Sequence, residues 1–351
     1  MKTVIGWIVA YLCRWLPHSA ATGLRAVGNP DQDSPVIVTC NFSLSVKRVL
    51  HALRGLNVWL LVAPSDGINV WCAACGGIFT HHRVIDAIKV SGLSDKVKHR
   101  EVILPALSAP AMDKKAIKEE TGFRARFGPV HADDLPAYLD QGKKKTEAMR
   151  RFRFDLAHRA DMFLSMNFPV YLVPAIVLAI FFPNYLLGFT ALFWFAVAFL
   201  YLFINVIPGK TGWGQAFFSV SFFVLAWAVF DWSMAGNPFL HWGWFIATFV
   251  IFFAAGFDLA GIASGRKSDA EQFVLRLGIK SIPGLLAEKD LGEITLDRDK
   301  CKGCGNCQDI CPTSVYGDLD QDKKTTFNDR EACFACGACV KQCPEDALSL
   351  G

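Results

Sequence analysis

Residues 301–312 read CKGCGNCQDICP, and residues 333–344 read CFACGACVKQCP. Each stretch places three cysteines two residues apart, adds a fourth after three more residues, and ends in proline. Three thiolates at this spacing can wrap one cube of iron and sulfide, and the proline ends the loop at the fourth cysteine. The two runs therefore predict a domain that binds two 4Fe–4S clusters.

Such runs are typical of bacterial two-cluster ferredoxins, in which the fourth cysteine of each run binds the other run's cluster. We expect one cluster to be held by Cys301, Cys304, Cys307 and Cys343. We expect the second to be held by Cys333, Cys336, Cys339 and Cys311. Zinc sites lack a third cysteine at this spacing, and a disulfide framework needs an oxidising compartment. The sequence thus predicts an α+β, bacterial-type ferredoxin domain over residues 291–351 that carries single electrons at low potential.

The middle of the chain is strongly apolar. Hydrophobic residues make up 52% of the sequence, and the excess lies in four stretches that each approach the roughly 20 residues needed to cross a bilayer. These stretches are Met166–Phe182, Tyr185–Ile207, Trp213–Asp231 and Trp242–Ile262. We predict a transmembrane domain of four helices over residues 160–263, followed by a linker at 264–290.

The basic residues give this domain an orientation. One group precedes the first stretch: Lys143, Lys144, Lys145, Arg150, Arg151, Arg153 and Arg159. Another follows the fourth: Arg266, Lys267, Arg276 and Lys280. The positive-inside rule then places both soluble ends in the cytoplasm, as an even number of spans also requires. We expect a multi-pass protein of the cytoplasmic (inner) membrane that contacts membrane lipid and no nucleic acid, because the net charge of +4 clusters beside the spans.

The N-terminal arm, residues 1–30, contains the short apolar stretch Val4–Leu16. Because Arg14 interrupts this stretch and no clear cleavage site follows it, we predict an interfacial or packing helix. A fifth span and a signal peptide are the alternatives.

Residues 31–150 alternate between strand-like and helix-like stretches. The strand-like ones are Val36–Cys40, Asn57–Ala63, Glu101–Leu107 and Arg124–Val130. The helix-like ones are Ser43–Leu53, His82–Val90, Asp113–Thr121 and Asp133–Leu139. This alternation predicts a Rossmann-like α/β domain with a mainly parallel sheet. Ligands of such sheets bind beyond the carboxyl ends of the strands, which makes Thr39 and Asn41 candidate contacts.

Residues 67–77 read GINVWCAACGG. A cysteine beside a tryptophan in a short apolar segment can present a thiolate in a dry site. The segment resembles the cap-helix signature NVWCAAGK of the corrinoid protein of microbial mercury methylation. That family places membrane spans after its corrinoid domain, and its obligate partner is a small two-cluster ferredoxin, so this chain resembles a fusion of the two. Cys75-Gly76 stands where the family has Gly-Lys, and no cysteine follows Cys343 in this sequence, whereas the family's ferredoxin carries extra ones.

By this resemblance Cys72 is the lower axial ligand of cobalt and the catalytic residue. The resemblance also places the rest of the segment against the corrinoid. With the two strand-end residues, the expected corrinoid contacts are Thr39, Asn41, Asn69, Val70, Trp71, Cys72, Ala73, Ala74 and Cys75.

The resemblance implies a membrane-anchored corrinoid iron–sulfur methyltransferase. A methylated folate or pterin, or a methyl-donor protein, would supply a methyl group, and the acceptor would be mercury(II) or another metal(loid) or thiol. The fused ferredoxin, supplied by an external low-potential electron donor, would re-reduce the corrinoid. One alternative is a membrane-bound low-potential electron carrier whose α/β domain no longer binds corrinoid. Another is a metal-trafficking protein that uses Cys72 and Cys75, with His81 and His82 as further zinc ligands.

Overall fold

The computed structural model describes residues 6, 8, 10–12, 14, 16–153, 155–203, 220–221, 246, 249, 294–313, 315–333 and 335–350. The chain divides into two compact units. One comprises Met1–Ala10, Leu16–Phe152 and Lys280–Gly351, and the other comprises Tyr11–Trp15 and Arg153–Ile279. The α/β segment and the cysteine-rich segment therefore belong to the same unit.

A five-stranded sheet forms the centre of the α/β segment. Its strands are β1 (Gly23–Val27), β2 (Val36–Cys40), β3 (Val58–Ala63), β4 (Glu101–Leu104) and β5 (Arg124–Phe127). The order is β1-β3-β2-β4-β5; β1 pairs antiparallel with β3, and the other pairs are parallel. Every residue of β2 is buried, as expected for a central strand covered on both faces. The predicted α/β class and the four parallel strands are confirmed.

Helices cover both faces of this sheet. They are α1 (Ser43–Ala52), α2 (Val70–Cys75), α3 (His81–Val90), α4 (Leu93–Lys96), α5 (Lys114–Thr121), α6 (Leu135–Asp140) and α7 (Glu147–Arg150), with 3-10 turns at Ala106–Ala111 and Ala132–Asp134. Side chains of β2 alternate between two apolar clusters: Val36 and Val38 pack with residues of α3 and α5, whereas Ile37 packs with Leu135 and Tyr138 of α6. The strand period of two thus fixes which residues face each layer.

The antiparallel strand β1 was not predicted. Its sequence, GLRAV, carries a charged residue at its centre and its burial is only partial. Such a short, half-exposed edge strand gives a weak hydrophobic signal. The sheet therefore begins before residue 31, in the segment that sequence analysis assigned to the N-terminal arm.

The cysteine-rich segment is a small α+β domain. Strand β6 (Ile294–Leu296) pairs antiparallel with β9 (Leu348–Leu350), and β7 (Tyr316–Gly317) pairs with β8 (Thr326–Phe327). Its helices are α10 (Asn306–Ile310) and α11 (Ala338–Gln342), with a 3-10 turn at Arg330–Ala332. Each helix starts after a left-handed glycine, Gly305 or Gly337, inside a cysteine run. The two runs thus adopt the same loop-and-helix arrangement.

The second unit contains two long helices, α8 (Leu156–Phe181) and α9 (Pro183–Phe203). They pack through aromatic side chains, including the ring pair Phe163–Trp194, and the Tyr171 hydroxyl lies 2.8 Å from the Thr190 hydroxyl. Among the described residues, α9 is the one helix long and apolar enough to cross a membrane. The predicted third and fourth spans lie almost entirely outside the described residues, and a four-helix transmembrane domain is not shown.

Candidate functional site

The loops that leave β2 and β3 meet at the carboxyl edge of the sheet. Asn41 follows β2 and is buried, and its side-chain oxygen accepts hydrogen bonds from the Ser65 N–H (2.8 Å), the Ser65 hydroxyl (2.9 Å) and the Gly67 N–H (3.1 Å). Gly67 has φ +71, and a Cβ there would lie 2.8 Å from the carbonyl carbon of His18. Asn41 is therefore an internal brace of the loop before α2, and a side chain at position 67 is excluded by both conformation and space.

This brace leads to a stability prediction. Asn41→Leu should lower the free energy of unfolding by about 2–4 kcal/mol, because it leaves buried donors of the β3 loop without their acceptor. Thermal or urea unfolding of the purified chain measures the change. Asn57→Ala is the matched control: Asn57 accepts one exposed hydrogen bond from the Asn29 N–H, so its loss should cost less than about 0.5 kcal/mol. Equal losses in the two variants would show that Asn41 does not brace the loop.

The helix α2, which we call the cap helix, begins at Asn69. The Asn69 side-chain oxygen accepts a hydrogen bond from the Cys72 N–H (2.9 Å), and the Asn69 amide nitrogen lies 3.3 Å from the Cys72 sulfur. One side chain thus caps the helix and orients the thiol. Cys72 is exposed, whereas Ala73 and Ala74 are buried against the core. The cap helix is therefore held by its alanines and presents Cys72 outward.

The other predicted corrinoid contacts occupy different environments. Val70 and Trp71 are half-buried, as is Cys75 at the end of the cap helix. Thr39 is buried within β2, so it lies in the sheet interior and not at an open edge. The structure thus brings the segment from Asn69 to Cys75 together in one helix with its cap, and it gives Asn41 a bracing role.

Cys40, at the end of β2, is fully buried. Burial raises the pKa of the Cys40 thiol, because the thiolate would lose its hydration, and nearby hydrogen bonds only partly oppose this. A thiol in this state is an inert core residue. Cys40 and Cys72 therefore differ in solvent access, which a metal-binding thiol requires.

Two cavities lie inside the cysteine-rich domain. The first is lined by one set of four cysteines, Cys301, Cys304, Cys307 and Cys343. The second is lined by the other set, Cys311, Cys333, Cys336 and Cys339. The grouping coincides with the crossed pairing expected from the sequence, in which each run lends its fourth cysteine to the other cavity. Sulfur is the donor that iron–sulfur clusters require, so both donor sets fit a 4Fe–4S cluster.

Close backbone packing shapes the first cavity. Gly303 lies between the first two cysteines of its run with φ +63, and an added Cβ would clash with the Lys323 carbonyl. The equivalent position of the second run is Ala335, which adopts φ 54. A left-handed residue at this position turns the loop between two cysteines in both runs.

Burial raises the pKa of several of these thiols. Burial is the main cause for Cys307 and for Cys339, whose pKa rises to about 12. The pKa of Cys336 is also raised well above its ordinary value, first by burial and then by electrostatic interaction with the neighbouring cysteines Cys339, Cys75 and Cys311. Thiols in such a dry pocket release their protons when a metal takes their place. Cys75 of the cap helix is thus an electrostatic neighbour of the second cysteine set.

The alternative zinc site is not formed in the described part of the chain. His81 and His82 do not converge with Cys72 and Cys75 into a group that could hold a metal ion. His81 begins α3, its imidazole lies 3.3 Å from the Ala111 carbonyl, and its ring lies against that of His82 in a tilted arrangement. These histidines are therefore occupied with contacts away from Cys72.

Sequence reasoning missed the contacts that join the two soluble segments. Lys145 donates to the Asp309 carboxylate (2.7 Å) and to the Asp309 carbonyl (2.9 Å), and Arg150 lies 3.3 Å from the same carboxylate. Burial lowers the pKa of Lys145, and Asp309 opposes this shift. These basic residues were assigned to the membrane-facing charge of the first span. Their spacing before an apolar stretch gave no sign of a partner more than 150 residues away.

Both segments of the chain match models of known protein families. Residues 11–139 match the family model of the CO dehydrogenase/acetyl-CoA synthase delta subunit, and residues 293–344 match the 4Fe–4S dicluster domain. The predicted C-terminal 4Fe–4S domain is thereby confirmed.

Curated relatives of the α/β segment are gamma subunits of acetyl-CoA decarbonylase/synthase complexes. The protein of Archaeoglobus fulgidus is 34% identical over 127 residues, which is 36% of this chain and 27% of the relative. That of Methanocaldococcus jannaschii is 39% identical over 125 residues, or 35% of this chain and 25% of the relative. The gamma 2 subunit of Methanosarcina thermophila is 36% identical over 129 residues, or 36% of this chain and 27% of the relative. The match thus spans about a quarter of the relatives' length.

Proposed function

We propose that the α/β segment binds a corrinoid with Cys72 as an axial ligand of cobalt, and that the chain is a corrinoid iron–sulfur methyltransferase. The observation that carries the proposal is the position of Cys72. It is an exposed thiol on a short helix at the carboxyl edge of a parallel sheet, where ligands of such folds bind. A soft thiol with an amide beside its sulfur fits an axial ligand of a tetrapyrrole metal.

The residues around Cys72 have defined tasks in this proposal. Asn69 holds the thiol through its amide nitrogen and fixes the start of the helix. Ala73 and Ala74 anchor the helix to the core, so that the thiol position does not depend on a mobile loop. When bound, the corrinoid supplies a metal that can carry a methyl group, and the protein contributes the ligand that tunes this metal.

The two cysteine-lined cavities support the second part of the proposal. They would hold two 4Fe–4S clusters, one per cavity, with the crossed assignment of Cys343 and Cys311. Clusters of this type deliver single electrons at low potential. A corrinoid domain that must be re-reduced and a domain that supplies electrons form a coherent pair within one chain.

We assign the methyl acceptor to a soft class: mercury(II), another metal(loid) or a thiol. Cys72 would hold the corrinoid through its sulfur, and a sulfur ligand that donates electron density to the metal would suit methyl transfer to such a soft acceptor. The methyl donor would be a methylated folate or pterin or a methyl-donor protein, and an external low-potential donor would supply electrons. The four apolar stretches and the basic residues that flank them support attachment to the cytoplasmic membrane with both soluble ends inside the cell. Among the described residues, α9 has the length and composition of one such span.

A transfer assay tests the function. The anaerobically purified chain is loaded with a corrinoid carrying an isotope-labelled methyl group and offered mercury(II), arsenite or a small thiol as acceptor. We expect labelled product from at least one acceptor, and loss of that product in Cys72→Ala. Full cluster content with no corrinoid bound and no transfer to any of the three would instead identify the chain as an electron carrier.

A further inference from the structure

The loop after β4 contacts the cysteine-rich domain. We call this loop, Ala106–Met112, the docking loop; it contains the 3-10 turn at Ala106–Ala111. Gln342, the last residue of α11, is 6% exposed, and its amide nitrogen donates to the Ala109 carbonyl (3.0 Å) and to the Met112 carbonyl (2.6 Å). Two carbonyls at the end of a short turn are thus satisfied by one buried side chain from the other domain.

A second set of contacts lies on the segment that follows α6. We call residues 143–152 the basic arm. Besides the bonds of Lys145 to Asp309, the Arg151 guanidinium donates to the Thr313 carbonyl (2.7 Å), and the Phe152 N–H donates to the Pro312 carbonyl (2.8 Å). These contacts reach residues on both sides of Cys311, namely Asp309, Pro312 and Thr313. The basic arm therefore binds the end of the first cysteine run.

An apolar contact lies between these two sets. Ile310 and Ala338 are buried in the same cluster as Ala109 and Met112 of the docking loop. Cys336 and Cys339 of the second run pack against this cluster, which also contains Ala73 of the cap helix. Cys304 of the first run is exposed instead. Two cysteines of the second run therefore pack on the cluster that includes Ala73 of the cap helix, whereas Cys304 of the first run is accessible to solvent.

We propose that the ferredoxin domain is permanently docked on the docking loop, and that Gln342 is the positioning residue that fixes the second cysteine set toward the cap helix. The docked geometry rests on the contacts of Gln342 and the basic arm, and its purpose rests on the proposed function. The exposed side at Cys304 is then the surface for an external low-potential one-electron donor. Each such delivery moves one electron, with no bond made or broken.

Amine labelling of the cluster-loaded full chain tests the docking without any corrinoid. Lys145 is 5% exposed, whereas its neighbour Lys144 is exposed and serves as the internal reference. We expect acetylation of Lys145 to be at least about tenfold slower than that of Lys144, because it requires local opening of the interface. Labelling of Lys145 as fast as that of Lys144 would show that the ferredoxin domain is not permanently docked.

Two variants test the contacts that Gln342 and Asp309 make across this interface. Gln342→Leu and Asp309→Asn should each raise labelling of Lys145 toward the rate of Lys144. Asp322→Asn is the matched control, since Asp322 is exposed and pairs only weakly, at 3.7 Å, with Arg298 of its own domain. Unchanged protection in Gln342→Leu would remove Gln342 from the positioning role. Measured iron content separates these results from a failure to fold.

Electron transfer to cobalt distinguishes a positioning role of Gln342 from a purely structural one. With corrinoid bound, reduced clusters should transfer an electron to cobalt in a fast phase in the wild type. Gln342→Leu should lose this phase at unchanged iron content and cluster potential. A fast phase retained in this variant would overturn the positioning role. If Lys145 is protected from labelling in a chain that binds no corrinoid, the proposed function is wrong and the docking proposal still holds.

Discussion

Replacing Cys72 by alanine should change the absorption spectrum of the bound corrinoid and weaken its binding. Loss of an outer-sphere partner of a metal ligand typically costs roughly 10–100-fold in affinity, so loss of the ligand itself should cost more than that. Asn69→Ala, which removes the amide beside the sulfur together with the side-chain cap of the helix, should fall in the roughly 10–100-fold range with a smaller spectral change. Anaerobic titration with a corrinoid, followed by absorption, measures both effects.

Two further cysteines serve as controls for this result. Cys40→Ala should leave the spectrum unchanged, because that thiol is fully buried in β2. Cys75→Ser distinguishes the two thiols of the cap helix and should keep the wild-type spectrum. A spectrum that changes in Cys75→Ser and not in Cys72→Ala would assign the cobalt ligand to Cys75 instead.

Replacing Cys343 by serine should remove or perturb one cluster only, and that cluster is the one held by the first run. Iron content should fall from about eight atoms per chain to about four if the cluster is lost. The reason is the shared cavity of Cys343 with Cys301, Cys304 and Cys307. Iron analysis and electron paramagnetic resonance of the reduced chain measure the loss.

Double variants decide the crossed assignment. Cys301→Ser combined with Cys343→Ser should cost no more iron than either change alone, because both residues line the same cavity. Cys333→Ser combined with Cys343→Ser should remove nearly all iron. The opposite pattern, with Cys333 and Cys343 behaving as one site, would show that each run binds its own cluster.

The sequence predicted those parts of the fold that depend on local patterns. The buried runs at Val36–Cys40 and Val58–Ala63 have the length and composition of parallel strands, and the structure places them at the sheet centre. The cysteine spacing indicated the two sulfur-lined cavities because three of the four cysteines in each set are neighbours in one run, and the fourth followed from the known pattern of two-cluster ferredoxins. The position of Cys72 on a short helix also followed from its local segment.

Features that depend on distant partners were not predictable in this way. Asn41 was proposed as a corrinoid contact, but its side chain braces the β3 loop. Lys145 was counted as membrane-facing charge, but its amine is buried against Asp309. No sequence pattern indicated the role of Gln342, because a glutamine inside a cysteine run does not reveal which carbonyls its side chain will bond. In each case the side chain's role is set by a residue that is distant in sequence.

The docked arrangement gives the fusion a physical rationale. A separate ferredoxin must find its partner by diffusion, whereas a tethered one meets it at a high effective concentration. The buried amide of Gln342 and the ion pair of Lys145 with Asp309 then fix one orientation among those that the tether permits. The chain therefore encodes both the proximity and the alignment of its α/β and cysteine-rich segments.

The most direct test of the account is the metal content of the full chain after anaerobic purification and loading with a corrinoid. The account predicts about one cobalt and about eight irons per chain, with the irons in two four-iron clusters and with a cobalt spectrum that depends on Cys72. About eight irons without cobalt would contradict the corrinoid assignment.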